Sequence, residues 1–165
     1  MRRIGVVGDN GAVADELKFL SHSLGGGLIV ETNPQRECYD VLLLHDRPRG
    51  LTELSLNCNA IVMNSDENIL SELLPNLLRN AIPQLVLTYG FNSKASITAS
   101  SVYEGTCCIC VQREFTTTSG IHRERQELTV MTRDPGVTLA AVSALLAADI
   151  DASGIETLSM LVPRS

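Results

Sequence analysis

The sequence has few aromatic residues and no long apolar run. Trp is absent and aromatic residues make up 4% of the 165 residues, so the core must be built from aliphatic side chains. No stretch approaches the roughly 18 apolar residues of a transmembrane helix, and the apolar run that follows Met1 is too short for a signal peptide. We therefore expect a cytoplasmic protein that has no membrane partner.

The chain is also short of positive charge. Lys and Arg number 13 against 19 Asp and Glu, which gives a net charge of −6. Because nucleic-acid binding needs a basic surface, we expect no nucleic-acid partner. The 5 cysteines are an odd and unevenly spaced set, which does not fit a disulfide framework. The length suits one domain.

The first half alternates strand and helix signals. We predict strands at 3–8, 28–32, 39–44, 60–63 and 84–89, a helix from Val13 to a stop at Gly25-Gly26-Gly27, and a helix over 69–78 that Pro75 kinks or splits. The run Val41-Leu42-Leu43-Leu44 does not alternate with polar residues, as expected for a strand that is buried on both faces of a parallel sheet.

The pattern changes after Gly90. Segments 96–103, 106–116 and 127–132 are rich in Thr, Ser, Val and Cys, which indicates antiparallel strands or hairpins, and 137–148 is an Ala/Leu helix. The sequence thus predicts a single α/β domain over 1–165. Residues 1–92 form a mostly parallel sheet flanked by helices, and residues 93–155 add an antiparallel β appendage and the final helix.

The turn Gly8-Asp9-Asn10-Gly11 lies between a strand and a helix, where α/β proteins bind phosphate. A working phosphate loop continues with a lysine that reaches the phosphates and a hydroxyl residue that holds Mg²⁺. Here those places are taken by Ala12 and Val13, and Asp9 adds negative charge where phosphates would lie. We therefore expect, at most, weak phosphate binding.

Two other interpretations of this turn stay open. It can be a plain strand-to-helix turn. It can also be a dinucleotide-binding turn that uses Gly8, with Glu31 holding the ribose at the end of the second strand. Asn10 and Val13 occupy the places where that motif has its other glycines.

Several segments resemble the central ATP-binding domain of the peptidoglycan Mur ligases. The family loop Gly-Thr-Asn-Gly-Lys-Thr-Thr is similar to residues 8–14 at two glycines and one asparagine. The family's Asn-x-Asp-Asp turn resembles Asn64-Ser65-Asp66-Glu67, and its strand that ends in an aromatic residue and Gly resembles 85–91. Pro135-Gly136 matches a Pro-Gly before an Ala-rich helix, so the resemblance runs in order over about 5–155.

The resemblance implies that ATP or ADP, if it binds at all, binds weakly at the loop and beside an adenine-contacting turn. The residues implied are Gly8, Asp9, Asn10, Gly11, Asn64 and Asp66. Asn64 and Asp66 have an alternative interpretation as an Asx turn and helix N-cap for 67–74.

The departures from the family pattern concern catalysis. The resemblance implies that His45 stands where the family has a Mg²⁺-binding glutamate, and that the family's histidine and carbamylated lysine fall in a deleted section near 51–59. Thr138, Leu139 and Val142 replace a His-Asn-x-x-Asn motif. Both outer domains of the family, which hold the UDP-sugar and bring the amino acid, are expected to be absent. We predict no catalytic residue and no metal site.

The leading hypothesis is a non-catalytic Mur-ligase-like domain, a binding or regulatory module linked to cell-wall precursor metabolism. It would bind a nucleotide weakly, a precursor, a protein partner or a second copy of itself. One alternative is an ATP-dependent amide-ligase fragment that acts with a partner chain. Another is a dinucleotide-binding domain.

The remaining polar residues have simpler interpretations. Cys107, Cys108 and Cys110 are expected to fill a β core, since a structural zinc site needs four ligands and only His122 is nearby in sequence. We interpret 123–127 as a solvated hairpin segment, and His45-Asp46 as the start of a solvated loop.

Overall fold

The computed structural model describes residues 2–8, 10–23, 25, 27–32, 34, 38–47, 57–77, 82–150 and 154–156. Within them the strands are β1 (Arg2–Val7), β2 (Leu28–Thr32), β3 (Cys38–Leu44), β4 (Asn57–Asn64), β5 (Leu85–Tyr89), β6 (Ile97–Tyr103), β7 (Thr106–Val111), β8 (Phe115–Thr116), β9 (His122–Arg123) and β10 (Gln126–Met131). The helices are α1 (Ala12–Ser23), α2 (Asn68–Leu77) and α3 (Pro135–Ala147). None of these helices combines the length and the apolar character that crossing a membrane requires.

The main sheet has 8 strands in the order β10-β7-β6-β5-β4-β3-β1-β2, and β8 pairs with β9 in a separate sheet. Neighbouring strands from β2 to β6 are parallel, whereas β7 is antiparallel to both β6 and β10. The predicted mostly parallel α/β fold is therefore confirmed. The antiparallel strands β6, β7 and β10 continue the main sheet, because the start of β6 pairs with Tyr89 at the end of β5.

Helices cover both faces of the parallel strands. On one face α1 and α3 enclose the larger apolar cluster, to which β3 contributes Val41 and Leu43. On the other face α2 packs its Leu70 against a smaller cluster that includes Leu42 and Leu44. All four residues of this β3 run are 0–1% exposed, as the absence of alternation predicted.

Helix α3 begins two residues before the predicted start at 137. The Asp134 carboxylate accepts hydrogen bonds from the backbone N–H groups of Gly136 and Val137, and Pro135 supplies a fixed φ in the first turn. Every residue from Thr138 to Ala147 is buried, so α3 is apolar on all sides and fits between the sheet and α1.

Segment 106–116, predicted as a strand or hairpin, forms two strands, because the chain leaves the main sheet after Val111 and pairs again at Phe115. Helix α2 is not split at Pro75, which lies in the last turn and interrupts little of the helix. Residues 51–56, where the family's metal-binding section is predicted to be deleted, lie outside the described residues. The predicted end of α2 at Leu78 lies outside them too.

Candidate functional site at the carboxyl edge of the sheet

The parallel strands end at one edge of the sheet, where ligands of α/β proteins bind. The turns after β1, β3 and β4 all reach this edge. Together they bring Gly8, Asn10, Gly11, His45, Asn64 and Asp66 to one side of the molecule. Asp9, the remaining predicted loop residue, lies outside the described residues.

The turn after β1 packs closely against the chain that follows β3. Gly8 has a φ of +76°, and a Cβ added there would lie 1.9 Å from the carbonyl oxygen of Asp46. Only glycine fits both the backbone conformation and this contact. The carbonyl oxygen of Val7 also accepts a hydrogen bond from the backbone N–H of His45 at 3.0 Å. The two turns therefore support each other.

The first turn of α1 shows what replaced the phosphate-binding residues. The Asn10 side-chain oxygen accepts a hydrogen bond from the backbone N–H of Ala12 at 3.1 Å, and the carbonyl oxygen of Gly11 accepts one from Asp15 at 2.9 Å. Ala12 is exposed, whereas Val13 is 0% exposed and belongs to the core. The Asn10 side chain therefore satisfies the first backbone N–H of α1, and the second residue of the helix, Val13, packs in the core.

A hydrogen-bonded pair that sequence reasoning missed joins β3 to β5. Nδ1 of His45 lies 2.7 Å from the hydroxyl of Tyr89, and the two rings are parallel within 7° with their centroids 6.3 Å apart. His45 is half-buried and Tyr89 is 2% exposed. The interpretation of His45 as the start of a solvated loop is therefore wrong, although Asp46 beside it is exposed.

Asn64 links this pair to β4. Its Nδ2 donates a hydrogen bond to the carbonyl oxygen of His45 at 3.0 Å, and its Oδ1 accepts one from the backbone N–H of Asp66 at 3.0 Å. The second bond is the Asx turn that was one of the two interpretations of this residue. Ser65 adds a hydroxyl bond to the carbonyl oxygen of Tyr89 at 3.1 Å.

Asp66 holds the turn that follows β5. Its carboxylate accepts hydrogen bonds from the backbone N–H groups of Phe91 at 2.8 Å and Asn92 at 3.3 Å, and from Nδ2 of Asn92 at 2.7 Å. Partial burial alone would raise the pKa of Asp66, but the bonds from Asn92 and Phe91 outweigh it and hold this pKa below its ordinary value. A Cβ on Gly90 would lie 2.8 Å from the carboxylate, which explains the glycine.

The acid proposed for a dinucleotide site is engaged elsewhere. Glu31 Oε1 accepts a hydrogen bond from the Arg3 guanidinium at 3.2 Å, and its Oε2 accepts one from the Tyr39 hydroxyl at 2.7 Å. Both carboxylate oxygens are thus used within the β1-β2-β3 region, where Glu31 supports the sheet. This geometry does not favour a role in holding a ribose.

The cysteine group divides between the two faces of β7. Cys107 is buried in the core, as predicted. Cys108 and Cys110 are half-buried on the other face, so the prediction that they fill the core is wrong. The group of possible ligands found among the described residues joins these two thiols to Glu127, not to His122.

Arg123 also differs from its interpretation as part of a solvated hairpin. Its side chain is 9% exposed, and its Nη2 donates a hydrogen bond to the carbonyl oxygen of Ile150 at 2.8 Å. The rest of 123–127 is mostly exposed, as expected. Arg123 therefore fixes the chain that follows α3.

Comparison with known proteins finds a likeness in structure at very low sequence identity. No protein-family model matches the sequence, and neither does any curated protein. The structure superimposes over 100% of its length on a UDP-N-acetylmuramoyl-L-alanyl-D-glutamate–2,6-diaminopimelate ligase, with a TM-score of 0.63 and 11% identity. The chain therefore has a Mur-ligase-like fold.

Two further solved structures agree. A UDP-N-acetylmuramoylalanyl-D-glutamyl-2,6-diaminopimelate–D-alanyl-D-alanyl ligase from Acinetobacter baumannii matches 100% of the chain, with a TM-score of 0.63 and 7% identity. A structure of MurF from the same organism matches 99%, with a TM-score of 0.60 and 7% identity. The chain spans only 45–47% of the length of these Mur ligases, and identities this low establish the fold alone.

Proposed function

We propose that this chain is a non-catalytic domain of Mur-ligase fold that acts as a binding or regulatory module linked to cell-wall precursor metabolism. The link rests on the structural neighbours, two of which carry UDP-N-acetylmuramoyl substrates in their names. The non-catalytic part rests on the chain's own residues at the carboxyl edge of the sheet.

The first turn of α1 is the observation that carries the proposal. Transfer of a phosphoryl group needs cationic groups that neutralise charge on the moving phosphate. Ala12 has no charge, and Val13 is 0% exposed and points into the core. A single cationic group, an arginine finger, is worth about 10³–10⁵ in rate, so a site without the loop lysine is expected to have negligible turnover.

The polar side chains of the edge support the same conclusion. His45 is bonded to Tyr89, Asn64 to the backbone of residues 45 and 66, and Asp66 to the turn at 90–92. Most of their hydrogen-bonding capacity is used within the protein. A nucleotide that recruited them would have to break bonds that hold neighbouring strands together.

The helices favour an anionic ligand if one binds at this edge. Because α1, α2 and α3 follow the ends of β1, β4 and β10, all three helices begin on the same side of the sheet. Helix N-termini carry a partial positive charge that attracts phosphate. Asn10 and Asp134 already cap two of them, which favours weak binding of a nucleotide or a UDP-sugar diphosphate. A protein partner or a second copy of the chain is the other occupant that we propose.

A thermal-shift experiment separates the candidate functions. The chain is heated with ATP, ADP, NAD or a UDP-sugar, each with and without Mg²⁺. A ligand present at 100 times its Kd stabilises the protein by about 2.7 kcal/mol, which is easily measured. We expect no Mg²⁺-dependent shift with ATP. Such a shift would contradict the proposal in favour of a ligase fragment, and a shift with NAD would do so in favour of a dinucleotide-binding domain.

A matched pair of variants tests whether the phosphate groups of a nucleotide approach this loop. Ala12 is exposed, so Ala12→Lys and Ala12→Glu can both be accommodated. We expect Ala12→Lys to increase affinity for ATP and Ala12→Glu to decrease it, because the two side chains place opposite charges beside the same helix N-terminus. Equal affinities in the two variants would show that phosphate does not approach this turn.

A further inference from the structure

The antiparallel half of the sheet carries a cluster of sulfur and oxygen ligands away from the carboxyl edge. Cys107, Ile109 and Val111 point into the core, so the alternating Cys108 and Cys110 lie on the opposite face of β7, away from α3. Both are half-buried. These thiols are therefore reachable from solvent.

Strand pairing brings a carboxylate to the two thiols. Glu127 on β10 is the register partner of Cys110 on β7. One ligand atom from each of Cys108, Cys110 and Glu127 lies within 4.8 Å of the other two, and Cys110 Sγ is 3.8 Å from Glu127 Oε1. In a tetrahedral zinc site, bonds of about 2.3 Å to sulfur and 2.0–2.2 Å to oxygen place the ligand atoms roughly 3.5–3.8 Å apart. The three ligand atoms would have to move together by about 1 Å or less to reach these distances.

The backbone of the sheet holds this arrangement in place. Cys110 pairs with Thr98 and Cys108 with Ser101, and the pairing shifts register between Ala99 and Ser101, at a β-bulge. The residue inside the bulge is Ser100, which lies beside the thiol of Cys110. A neighbour of this kind orients a metal ligand from outside the coordination shell.

A disulfide does not explain the two cysteines. Residues two apart on a strand have Cα atoms about 6.6–6.8 Å apart, at a rise of about 3.3–3.4 Å per residue. That separation is at the upper limit for a disulfide, whose Cα atoms are usually 4.4–6.8 Å apart. Cys108 and Cys110 are both free cysteines.

We propose that Cys108, Cys110 and Glu127 bind one thiophilic divalent cation of the Zn²⁺ type. The two thiolates and one carboxylate oxygen form three of its bonds, and the fourth position stays open to water or an external ligand. Sulfur ligands select against Mg²⁺ and Ca²⁺, which prefer oxygen. Ligation displaces the protons of the two thiols. The site is independent of the proposed function at the carboxyl edge.

Calorimetric titration of the whole chain with Zn²⁺ under reducing conditions tests the site. We expect each chain to bind one Zn²⁺ ion. The number of protons released on binding should be larger at a pH where the two thiols are still protonated. Co²⁺ in place of Zn²⁺ should produce thiolate-to-metal charge-transfer absorption. An excess of Mg²⁺ or Ca²⁺ should not displace either ion.

Single substitutions assign the ligands. Cys108→Ser and Cys110→Ser should each reduce the charge-transfer absorption and weaken Zn²⁺ binding at least about tenfold, since even changes outside the coordination shell cost 10–100-fold. Glu127→Gln should weaken binding but keep the sulfur absorption. Cys38→Ser is the matched control, because Cys38 is an exposed cysteine at the start of β3.

Circular dichroism of each variant shows whether it is folded, and Cys108→Ala and Cys110→Ala provide second substitutions. The proposal is overturned if the wild-type chain binds no Zn²⁺, or if Cys38→Ser weakens binding as much as Cys110→Ser. It is also overturned if Mg²⁺ competes equally with Zn²⁺.

Discussion

Two polar clusters in the same sheet differ in how their groups are used. At the carboxyl edge of the parallel strands, His45, Asn64 and Asp66 are bonded to one another's turns and to the turn after β5. On the outer face of β7 and β10, two thiols and a carboxylate lie within 4.8 Å of one another. The first cluster is hydrogen-bonded within the protein, whereas the proposed cation would complete the second.

This difference separates side chains that brace the fold from side chains that are available to the proposed cation. The edge residues lie on turns far apart in the sequence, and their bonds tie β3, β4 and β5 together. The thiols and Glu127 are positioned by the strand ladder itself, so their side chains are not needed to hold the backbone. Substitutions should therefore affect stability at the edge and metal affinity at the outer face.

The largest effect on stability is expected at Gly8. Gly8→Ala forces a side chain into a backbone with φ +76° and into the carbonyl oxygen of Asp46. Backbone strain of roughly 1–3 kcal/mol and overpacking of roughly 1–3 kcal/mol should together lower the free energy of unfolding by about 3 kcal/mol or more. Urea unfolding measures this loss.

Gly25→Ala is the control for the contact made by Gly8. Gly25 also has a positive φ, of +90°, but an added Cβ there meets nothing within 4 Å. Its loss should be limited to backbone strain of roughly 1 kcal/mol. Equal losses in the two variants would show that the turn after β1 does not depend on its packing against Asp46.

Arg123 tests the antiparallel half. Arg123→Ala removes the bond to the carbonyl oxygen of Ile150 and the packing of a nearly buried side chain. Because hydrogen bonds to charged groups contribute about 1.5–3 kcal/mol, we expect a loss of about 2 kcal/mol in the free energy of unfolding. Arg125→Ala, at an exposed neighbour, should change stability by less than about 0.5 kcal/mol. A similar small change at Arg123 would restore its interpretation as a solvated residue.

Asp66 should show a smaller loss that depends on pH. Asp66→Ala removes three hydrogen bonds to the turn at 90–92, but the site is exposed and water replaces part of them. We expect a loss of about 1 kcal/mol in the free energy of unfolding at pH 7, measured by urea unfolding. Asp46→Ala is a matched control, because Asp46 is also exposed and its Oδ1 accepts a hydrogen bond from the backbone N–H of the neighbouring Arg47.

The pH dependence follows from the lowered pKa of Asp66. A carboxyl group whose pKa is lower in the folded than in the unfolded chain stabilises the fold fully above its unfolded pKa, about 3.9. That stabilisation is lost as the pH falls through the lower pKa of the folded chain. The difference between wild type and Asp66→Ala should therefore shrink below about pH 4, and a constant difference would contradict the hydrogen-bonded carboxylate.

The sequence predicted the parallel half of the fold well. The apolar run at 41–44, the glycines after α1 and the Ala/Leu helix after Pro135-Gly136 are local patterns, and each gave its element to within a few residues. The antiparallel strands were also found. Their place in the main sheet was missed, because the single pair between Tyr89 and Ile97 that joins them to β5 leaves no local pattern.

The contacts of the candidate site were harder to predict. The sequence pointed to Asn64 and Asp66, but their partners are 19–26 residues away, and only the fold brings His45 and Asn92 to them. The division of the cysteines between two faces follows from strand alternation. Glu127 could not be assigned to them, because the pairing register of β7 with β10 depends on the intervening segment, which contains β8 and β9.

The carboxyl edge should not catalyse phosphoryl transfer, and this can be measured as Mg²⁺-dependent release of phosphate from ATP by the purified chain. We predict a rate equal to that of a sample without protein, because neither Ala12 nor the buried Val13 can neutralise or hold a phosphate or its metal. Turnover above that background, abolished by Asn10→Ala or Asn64→Ala, would contradict the account.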